Sequence, residues 1–504
     1  MIGPCRCAMV CPLNKGVLKT MNIGEMLDSI CSQHGGKTAI IFEDKTLSYG
    51  DLQRAVNSLA NYLKRLGIEK GDKVAIMLPN IPEFVISYFA ILKLGAVAVT
   101  LNIMSTSYEL RYLLRNSDSK VFITVAQSTK RYEEIKKEIP LCRHLLLVDH
   151  ESPSSPFAEV TGKGPFEFSM PPIDSDDPAA MIYTAGLTGD PLGAVLTHKN
   201  LLSQTTLFQD LFGGKAEDHA MAIIPFFHTF GATANMLGVM SIGCTVTIID
   251  QFNIDAILKA IERDRVTYIA AVPRVFLGML LYEEAEKFDT RSLRLCITGG
   301  STMPPQYMPA FSKKFRCVLT EGYGLTEASP VCTVGRMSMP IKPGSIGTAI
   351  PGVEVKVFDE SGREVPAGQV GELVVRGINV MKGYYKDEEA TARVIKNGWL
   401  HTGDLARIDE KGYVFLTGRK KRMIITSGFN VYPREVEIIL DSHPAVKASQ
   451  VVGKPDLMRG EIVKALVVRQ PNEAADERAI LKHCRTYLSS YKVPREIVFV
   501  DNVN

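Results

Sequence analysis

The sequence predicts an α/β fold: a large amino-terminal domain of layered α/β sheets with a β-barrel-like subdomain, followed by a small mobile α+β carboxy-terminal domain. Helical and strand patterns alternate from Met21 onward, which is the order that builds parallel sheets. β-Hairpin patterns replace that alternation after about residue 345. A basic stretch, Arg419–Arg422, then precedes a compact tail of mixed elements. The 504 residues are enough for two or three domains with sizeable cores.

The first region combines amphipathic helices with short apolar strands. An amphipathic helical pattern begins at Met21, and Leu52, Val56, Leu59 and Leu63 recur at helical spacing until Gly67. Helices are predicted at 49–66 and 82–94. Strands are predicted at 73–78, 95–101, 120–125, 145–148, 179–183, 246–249 and 268–272.

The second region predicts hairpins and then a separate domain. Strands 353–358 and 372–376 flank turn residues, and strands 405–409 and 413–417 flank Lys411-Gly412. The tail predicts a helix from Pro433, strands 446–452 and 462–468, a helix from Ala475 and a strand at 497–500. We therefore predict domains at 21–418 and 423–504, with the boundary at 419–422.

Composition excludes several functions. A net charge of +3 over 504 residues is too small to indicate a nucleic-acid-binding protein. No apolar run reaches the ~20 residues that a membrane-spanning helix needs. Peripheral membrane contact is allowed but not required. Ten scattered cysteines favour a reducing, cytoplasmic location. Residues 1–20 are expected to be a disordered leader without signal-peptide features, in which Cys5, Cys7 and Cys11 lack a nearby fourth metal ligand.

The segment Tyr183–His198 has the glycine spacing of a phosphate-binding loop. Glycines let backbone N–H groups approach phosphate oxygens, and Thr184 and Thr188 add hydroxyl donors. The segment is neither a Walker A loop nor a dinucleotide fingerprint. Taken alone, it is equally well explained as a tight turn.

Further downstream, Glu321–Glu327 places an aromatic ring, a hydroxyl and a carboxylate together. Tyr323 can stack on a base, and Glu327 can hold Mg²⁺ beside phosphate. Asp404 follows a glycine and suits ribose hydroxyls, while Arg419 is a candidate cation beside them. Each residue also has an ordinary structural explanation when considered singly.

In this order, the motifs resemble those of the acyl-adenylate-forming (AMP-dependent synthetase/ligase) superfamily. The resemblance rests on Tyr-Thr-x-Gly-x-Thr-Gly, Gly-Tyr-Gly-x-Thr-Glu, Thr-Gly-Asp and Gly-Arg-Lys-Lys, and it extends from Met21 to the carboxy terminus. Residues 419–437 look most like those of long-chain fatty-acyl-CoA synthetases. The resemblance implies that a fatty acid reacts with Mg·ATP to give acyl-AMP, and that coenzyme A then displaces AMP. It also makes a homodimer one expectation.

The resemblance assigns roles to matching positions. It implies that Thr326, Glu327 and the hinge residue Lys421 serve catalysis, with Glu327 as the Mg²⁺ ligand. It places His228 at the acyl pocket, although a structural histidine is the alternative, and Gly428 on the CoA side. No aspartate lies in 225–231, which favours an uncharged acyl tail. The implied ATP/AMP-binding residues are Thr184, Gly186, Thr188, Gly189, Gly193, Gly299, Gly300, Ser301, Gly322, Tyr323, Gly324, Thr326, Asp404 and Arg419.

Two departures bear on activity. Ala185, Leu187 and Leu192 stand where relatives carry serine, threonine and lysine. Losing one charge-assisted hydrogen bond of ~1.5–3 kcal/mol weakens polyphosphate handling about ten- to a hundredfold, so we expect impaired or altered ATP use, not its abolition. The sequence also ends before the superfamily's Pro-x-Thr-x-x-Gly-Lys segment, whose lysine the resemblance places on the α-phosphate. Adenylation by these 504 residues is therefore expected to be slow. A sequence that has been cut short is the favoured explanation, ahead of a naturally degenerate protein.

Three functions remain open from the sequence. The first is an ATP-dependent fatty-acyl-CoA ligase with a variant phosphate loop, which the full motif series favours. The second is a catalytically impaired homologue that binds nucleotide or acyl-AMP. The third is an acyl-AMP ligase that loads a carrier protein, which the CoA-ligase-like 419–437 segment argues against.

Overall fold

The computed structural model describes residues 21–149, 152, 154–185, 190–250, 252–420, 423–470 and 476–503. The leader at 1–20 and its cysteines therefore lie outside the described residues. The described helices are α1 Ile23–His34, α2 Tyr49–Arg65, α3 Pro82–Lys93, α4 Ser107–Asn116, α5 Thr129–Ile135, α6 Pro156–Gly162, α7 His198–Thr205, α8 Leu207–Phe212, α9 Gly238–Met240, α10 Ile254–Asp264, α11 Pro273–Leu281, α12 Tyr307–Phe315, α13 Glu388–Val394, α14 Pro433–Asp441 and α15 Glu477–Tyr487.

The strands fall into two groups along the chain, up to residue 420 and from residue 423. Up to residue 420, which we call the large domain, they are β1 Thr38–Phe42, β2 Lys45–Ser48, β3 Lys73–Met77, β4 Val97–Thr100, β5 Ser119–Val125, β6 His144–Val148, β7 Pro178–Ala185, β8 Pro191–Thr197, β9 His219–Ala222, β10 Thr245–Ile248, β11 Tyr268–Ala271, β12 Leu295–Thr298, β13 Val318–Gly324, β14 Val331–Val334, β15 Thr348–Ala349, β16 Val353–Phe358, β17 Gly371–Gly377, β18 Gly383–Tyr384, β19 Ile395–Lys396, β20 Trp399–Ile408 and β21 Val414–Arg419. From residue 423, which we call the small domain, they are β22 Ile424–Thr426, β23 Phe429–Val431, β24 Val446–Asp456, β25 Gly460–Arg469 and β26 Glu496–Phe499.

Two large sheets form the framework of the large domain. One has the order β15-β14-β13-β12-β11-β9-β10-β1-β2, and its central strands from β13 to β1 are parallel. The other has the order β18-β8-β7-β4-β3-β5-β6, with a parallel centre and an antiparallel β7–β8 pair. The parallel order follows from the alternation of helices and strands along the chain.

The remaining strands form two smaller sheets. Strands β16, β17, β20, β19 and β21 make an antiparallel sheet in the region predicted as a β-barrel-like subdomain, and the pairs among these described strands do not close it into a ring. Strands β22 to β26 make the sheet of the small domain, which has an apolar core of its own. The α/β fold with a large and a small domain is therefore confirmed, whereas the exact boundary and any hinge motion remain predictions.

Local sequence explains the helix that the pattern predicted best. Ser48 caps α2 in a capping box with Asp51, which satisfies free N–H groups of the first turn. Leu52, Val56 and Leu59 lie on one face and are completely buried, as their helical spacing predicts. The core of this region joins the helices to both large sheets.

The structure corrects the extent of the proposed phosphate loop. The glycine spacing predicts one loop over Tyr183–His198, but β7 continues to Ala185, β8 begins at Pro191 and α7 begins at His198. Pro191 and Gly193 concealed β8, which forms because its backbone pairs with β7 in the sheet. Among the described residues, no helix is long and apolar enough to cross a membrane.

Candidate active site

A cavity of about 240 Å³ lies where the carboxyl ends of β12 and β13 meet β7–β8, the β20–β21 hairpin and the small domain. The carboxyl ends of parallel strands are the usual location of ligand sites in open α/β sheets. Most residues implied by the motifs line this one cavity: Thr184, Leu192, His228, Gly299, Gly300, Ser301, Gly322, Tyr323, Gly324, Thr326, Glu327, Asp404, Arg419 and Gly428.

Of the remaining sequence-predicted residues, the structure describes Gly193 alone. Gly193 is not part of the lining; it pairs with Tyr183, and a Cβ there would lie 3.0 Å from Met181 Sδ. Its requirement for a small residue is therefore explained by packing. Gly186, Leu187, Thr188, Gly189 and Lys421 lie outside the described residues.

Glu327 is held by two hydroxyl groups from different strands. Tyr384 donates a 2.7 Å hydrogen bond to Glu327 Oε1, and Thr184 Oγ1 lies 3.3 Å from the same oxygen. Burial and the adjacent Glu327 raise the pKa of Tyr384 well above its ordinary value, so its hydroxyl remains a donor at neutral pH. The carboxylate is thus fixed through Oε1, while Oε2 accepts no hydrogen bond from the described residues.

This arrangement fits Mg²⁺ bound together with a polyphosphate. No group of three or more His, Cys, Asp or Glu side chains among the described residues could hold a metal alone. Mg²⁺ commonly uses one or two carboxylates and takes its other oxygens from phosphate and water. Glu327 supplies such a carboxylate at the cavity, and the hydroxyls of Thr184 and Thr326 line it nearby.

His228 and Thr326 occupy the centre of the site. Phe230 N–H donates to His228 Nδ1 at 3.2 Å, and burial lowers the pKa of His228 to about 4. The imidazole is therefore neutral at pH 7 and carries its proton on Nε2, where it is a hydrogen-bond donor. Thr326 Oγ1 lies 3.2 Å from Thr229 Oγ1. Both side chains therefore present neutral hydrogen-bond donors to the cavity.

Asp404 connects the two motifs predicted to hold the nucleoside. Tyr323 donates its hydroxyl to Asp404 Oδ2 at 2.6 Å, and Arg419 Nε donates to Oδ1 at 3.1 Å. Asp404 and Arg419 are paired residues of the β20–β21 hairpin, so strand register sets their contact. Each carboxylate oxygen can accept a second hydrogen bond, which leaves capacity for ribose hydroxyls.

Two glycines permit close backbone approach at the cavity. A Cβ on Gly324 would lie 1.9 Å from the Pro330 carbonyl oxygen. Gly428 has φ +87°, and a Cβ there would lie 2.6 Å from Val272 Cγ1. Any larger residue at Gly428 would therefore separate the β22–β23 turn of the small domain from the end of β11.

Leu192 marks the main chemical departure. It pairs with Thr184 across β7–β8, and both residues line the cavity. The side chain thus presents a branched alkyl group at the position where the resemblance implies an ammonium. The structure describes neither the side chain of Ala185 nor Leu187, so the effects of these two substitutions on ATP use remain predictions.

Aromatic and aliphatic side chains line part of the cavity, which we call its apolar branch. A π-helical turn at Gly231–Leu237 contributes part of its wall, and no Asp or Glu lies on that turn. Glu321 also lines the cavity; Met303 N–H donates to Oε1 at 3.2 Å, and burial raises the pKa of the carboxyl to about 8. The apolar lining comprises Leu207, Phe208, Phe212, Phe230, Ala234, Tyr268 and Ile297.

A second cavity, of about 570 Å³, lies between the two domains and reaches His228 and Thr326 from the other side. Phe227 of the large domain packs near Phe429 of the small domain, with ring centroids 6.4 Å apart, and Phe429 stacks on Tyr491 at 4.7 Å. Sequence reasoning missed Tyr384, Phe429 and Tyr491. Phe429 lies inside the 419–437 segment that resembles fatty-acyl-CoA synthetases, but nothing in the sequence showed which domain its ring would contact.

Comparison with known proteins identifies the family. The model for AMP-binding enzymes matches residues 27–385, and the model for the AMP-binding enzyme C-terminal domain matches residues 435–504. A long-chain-fatty-acid–CoA ligase of Bacillus subtilis (strain 168) is 35% identical, with 96% of this chain and 91% of the relative covered.

Solved structures give the same result. An amide bond synthetase from Marinactinospora thermotolerans has a TM-score of 0.88 at 27% identity, with 96% of both chains covered. The o-succinylbenzoate CoA synthetase of Bacillus subtilis, solved with a product analogue, has a TM-score of 0.83 at 28% identity, again with 96% of both chains covered. The motifs, the cavity that they line and the two family matches agree: the chain belongs to the AMP-binding enzyme family of acyl-adenylate-forming ligases.

Proposed function

We propose that this protein activates a fatty acid with ATP through acyl-AMP and transfers the acyl group to coenzyme A. The observation that carries the proposal is the meeting of three spaces at His228 and Thr326. Glu327 and Asp404 line the part of the first cavity that we call its nucleotide end, and Phe230 lines the apolar branch. The second cavity lies between the domains and shares His228 and Thr326 with the first.

The nucleotide end supplies groups for each part of ATP. Tyr323 offers a ring beside the adenine position, Asp404 and Arg419 offer hydrogen bonds to ribose, and Thr184 and Thr326 offer hydroxyls to phosphate. Mg²⁺ bound at Glu327 would neutralise phosphate charge as the α-phosphate is attacked by the acid. These roles follow from the family resemblance and from the residues that line the cavity.

The acyl end favours an apolar acid. The described wall of the branch is aromatic and aliphatic, and Glu321 is neutral at pH 7 because its pKa is about 8. A carboxylate substrate therefore meets no fixed negative charge from that residue. Neutral His228 can donate Nε2–H to an oxygen of the acid or of the mixed anhydride, without the charge of an imidazolium.

The second cavity is the proposed route of coenzyme A. Its outer part is lined by Tyr108, Arg111 and Arg115, whose cations suit phosphate groups, and its inner part ends at Thr326. A thiol that enters by this route meets the acyl carbon from the side opposite the nucleotide end. The resulting thioester and AMP are the products of the second half-reaction.

The test is product analysis over a panel of carboxylic acids of increasing chain length. The protein is incubated with ATP, Mg²⁺ and CoA, and in parallel with each synthetic acyl-AMP and CoA. Acyl-CoA and AMP are expected, with a preference for unbranched fatty acids. If no acid and no acyl-AMP yields a thioester, the proposal is wrong.

Leu192 favours one alternative, a homologue that binds acyl-AMP without turning over. An alkyl side chain replaces the implied lysine at the phosphate end of the cavity. Such a protein would bind acyl-AMP tightly, yet it would release AMP at the same rate with and without CoA. The acyl-AMP arm of the panel separates this alternative from the ligase.

A further inference from the structure

The two domains are joined by a buried ion cluster beside the second cavity. Lys492 Nζ lies 2.7 Å from Glu109 Oε1 and 2.5 Å from Glu435 Oε1. Glu109 belongs to α4 of the large domain, whereas Lys492 and Glu435 belong to the small domain. The three side chains are only 8–11% exposed. A buried ion pair adds little net stability, and in some proteins such pairs fix one orientation of the packed parts.

Glu109 is surrounded by donors from both domains. Ser489 Oγ donates to Oε2 at 2.6 Å, and Thr106 N–H, at the start of α4, donates to Oε2 at 2.9 Å. Lys492 donates to the other oxygen. A carboxylate can accept all of these bonds, but an amide cannot: in either orientation, the NH₂ group of glutamine would face a donor. The site therefore requires a carboxylate, not merely a polar side chain.

The same patch holds further contacts between the domains. Thr106 Oγ1 donates to the Tyr487 carbonyl at 3.0 Å, and the rings of Tyr108 and Tyr487 meet edge to face with centroids 5.4 Å apart. Glu109, Tyr108 and Lys492 also line the second cavity. The position of the small domain on α4 thus sets the width of that cavity.

We infer that Glu109 is a positioning residue for the thioester half-reaction. It holds the small domain against α4, so that Phe429 and Tyr491 complete the wall along which coenzyme A reaches Thr326. We call this placement of the small domain on α4 its seating. The inference rests on the proposed function, but the seating itself is measurable without any substrate. Within the small domain Lys492 keeps its pair with Glu435 in any orientation, so Glu109 is the partner whose contact depends on seating.

The test compares Glu109→Gln with Glu134→Gln. Glu134 is an exposed carboxylate that accepts a bond from Ser107 Oγ on α4 without facing the small domain, so it matches the loss of charge. With acyl-AMP supplied, kcat/KM for CoA is expected to fall on the order of tenfold to a hundredfold in E109Q, which corresponds to one lost charge-assisted hydrogen bond. Binding of AMP is expected to stay within about twofold, because Asp404 and Tyr323 belong to the large domain.

The placement of the small domain is measured by cross-linking two cysteines introduced at Met104 and Ser490. The Sδ atom of Met104 and the Oγ atom of Ser490 lie 3.5 Å apart across the domains. The M104C/S490C pair is made in a background with Cys5, Cys7 and Cys11 replaced by serine, since the described cysteines are buried. Dibromobimane becomes fluorescent when it bridges two nearby thiols. E109Q is expected to lower the bridging yield strongly, and E134Q is expected to leave it unchanged.

Ser489→Ala tests the same contact from the small domain and guards against a folding defect in E109Q. It should lower bridging and kcat/KM for CoA in the same direction. Unchanged bridging in both Glu109→Gln and Ser489→Ala, with both proteins folded by circular dichroism, would overturn the inference. If wild-type protein makes no thioester but bridging still depends on Glu109, the proposed function fails and the seating role stands.

Discussion

The substitution Leu192→Lys tests whether the leucine at this position lowers the affinity of the cavity for Mg·ATP. Leu192 faces Thr184 across β7–β8, and Thr184 Oγ1 lies 3.3 Å from Glu327 Oε1. A lysine there would bring an ammonium to the side of the cavity where Mg²⁺ and the polyphosphate are proposed to bind. It would restore one charge-assisted hydrogen bond, worth ~1.5–3 kcal/mol, or about ten- to a hundredfold in affinity.

The assay is equilibrium binding of Mg·ATP by calorimetry, because binding does not require the adenylation step to proceed. Leu192→Met is the matched control, since it lengthens the side chain without adding charge. Tighter binding of ATP, with AMP binding unchanged, is expected for L192K alone. Equal affinity of L192K and L192M for ATP would refute the reasoning, and it would show that phosphate is held by other contacts.

Three further predictions concern the same cavity. Tyr384→Phe removes the 2.7 Å bond to Glu327 and should lower pyrophosphate release about tenfold while AMP binding is unaffected, as a coupled pyrophosphate assay would show. Asp404→Asn replaces one of the two carboxylate oxygens that accept from Tyr323 and Arg419 with an NH₂ donor and should weaken AMP binding about tenfold or more by calorimetry, with palmitate binding unchanged. Glu321 has a folded-state pKa raised to about 8, so the folded protein binds more protons than the unfolded chain between pH 4.5 and 8, and stability falls as pH rises through that window by at most ~1.4 kcal/mol per unit. Glu321→Gln should remove that fall in denaturation experiments between pH 5.5 and 8.5; parallel curves for both proteins would contradict it.

Much of the fold was predictable because local pattern and tertiary structure agree. The spacing of Leu52, Val56 and Leu59 predicted α2, and those side chains are buried. The turn at Lys411-Gly412 predicted the β20–β21 hairpin. By contrast, β8 contains proline and glycine and has no strand-like pattern of its own. Its pairing with β7 is a long-range property that a local reading does not capture.

The candidate site was predictable only where one segment carries several functional groups. Gly-Tyr-Gly-x-Thr-Glu and Thr-Gly-Asp each place their chemistry within a few residues, and the structure brings both motifs to one cavity. Tyr384 carries no such local signal, because its role depends on the contact with Glu327, which is 57 residues away. Glu109 and Lys492 are separated by 383 residues, so their pairing could be found only in three dimensions.

According to the proposed function, the protein transfers an acyl group from AMP to the thiol of coenzyme A. The most direct measurement is single-turnover mixing of the protein with radiolabelled palmitoyl-AMP, with and without CoA, followed by separation of palmitoyl-CoA, AMP and free palmitate. The proposed function predicts CoA-dependent AMP release matched mole for mole by palmitoyl-CoA. AMP release that is independent of CoA, with palmitate as the sole acyl product, would contradict it.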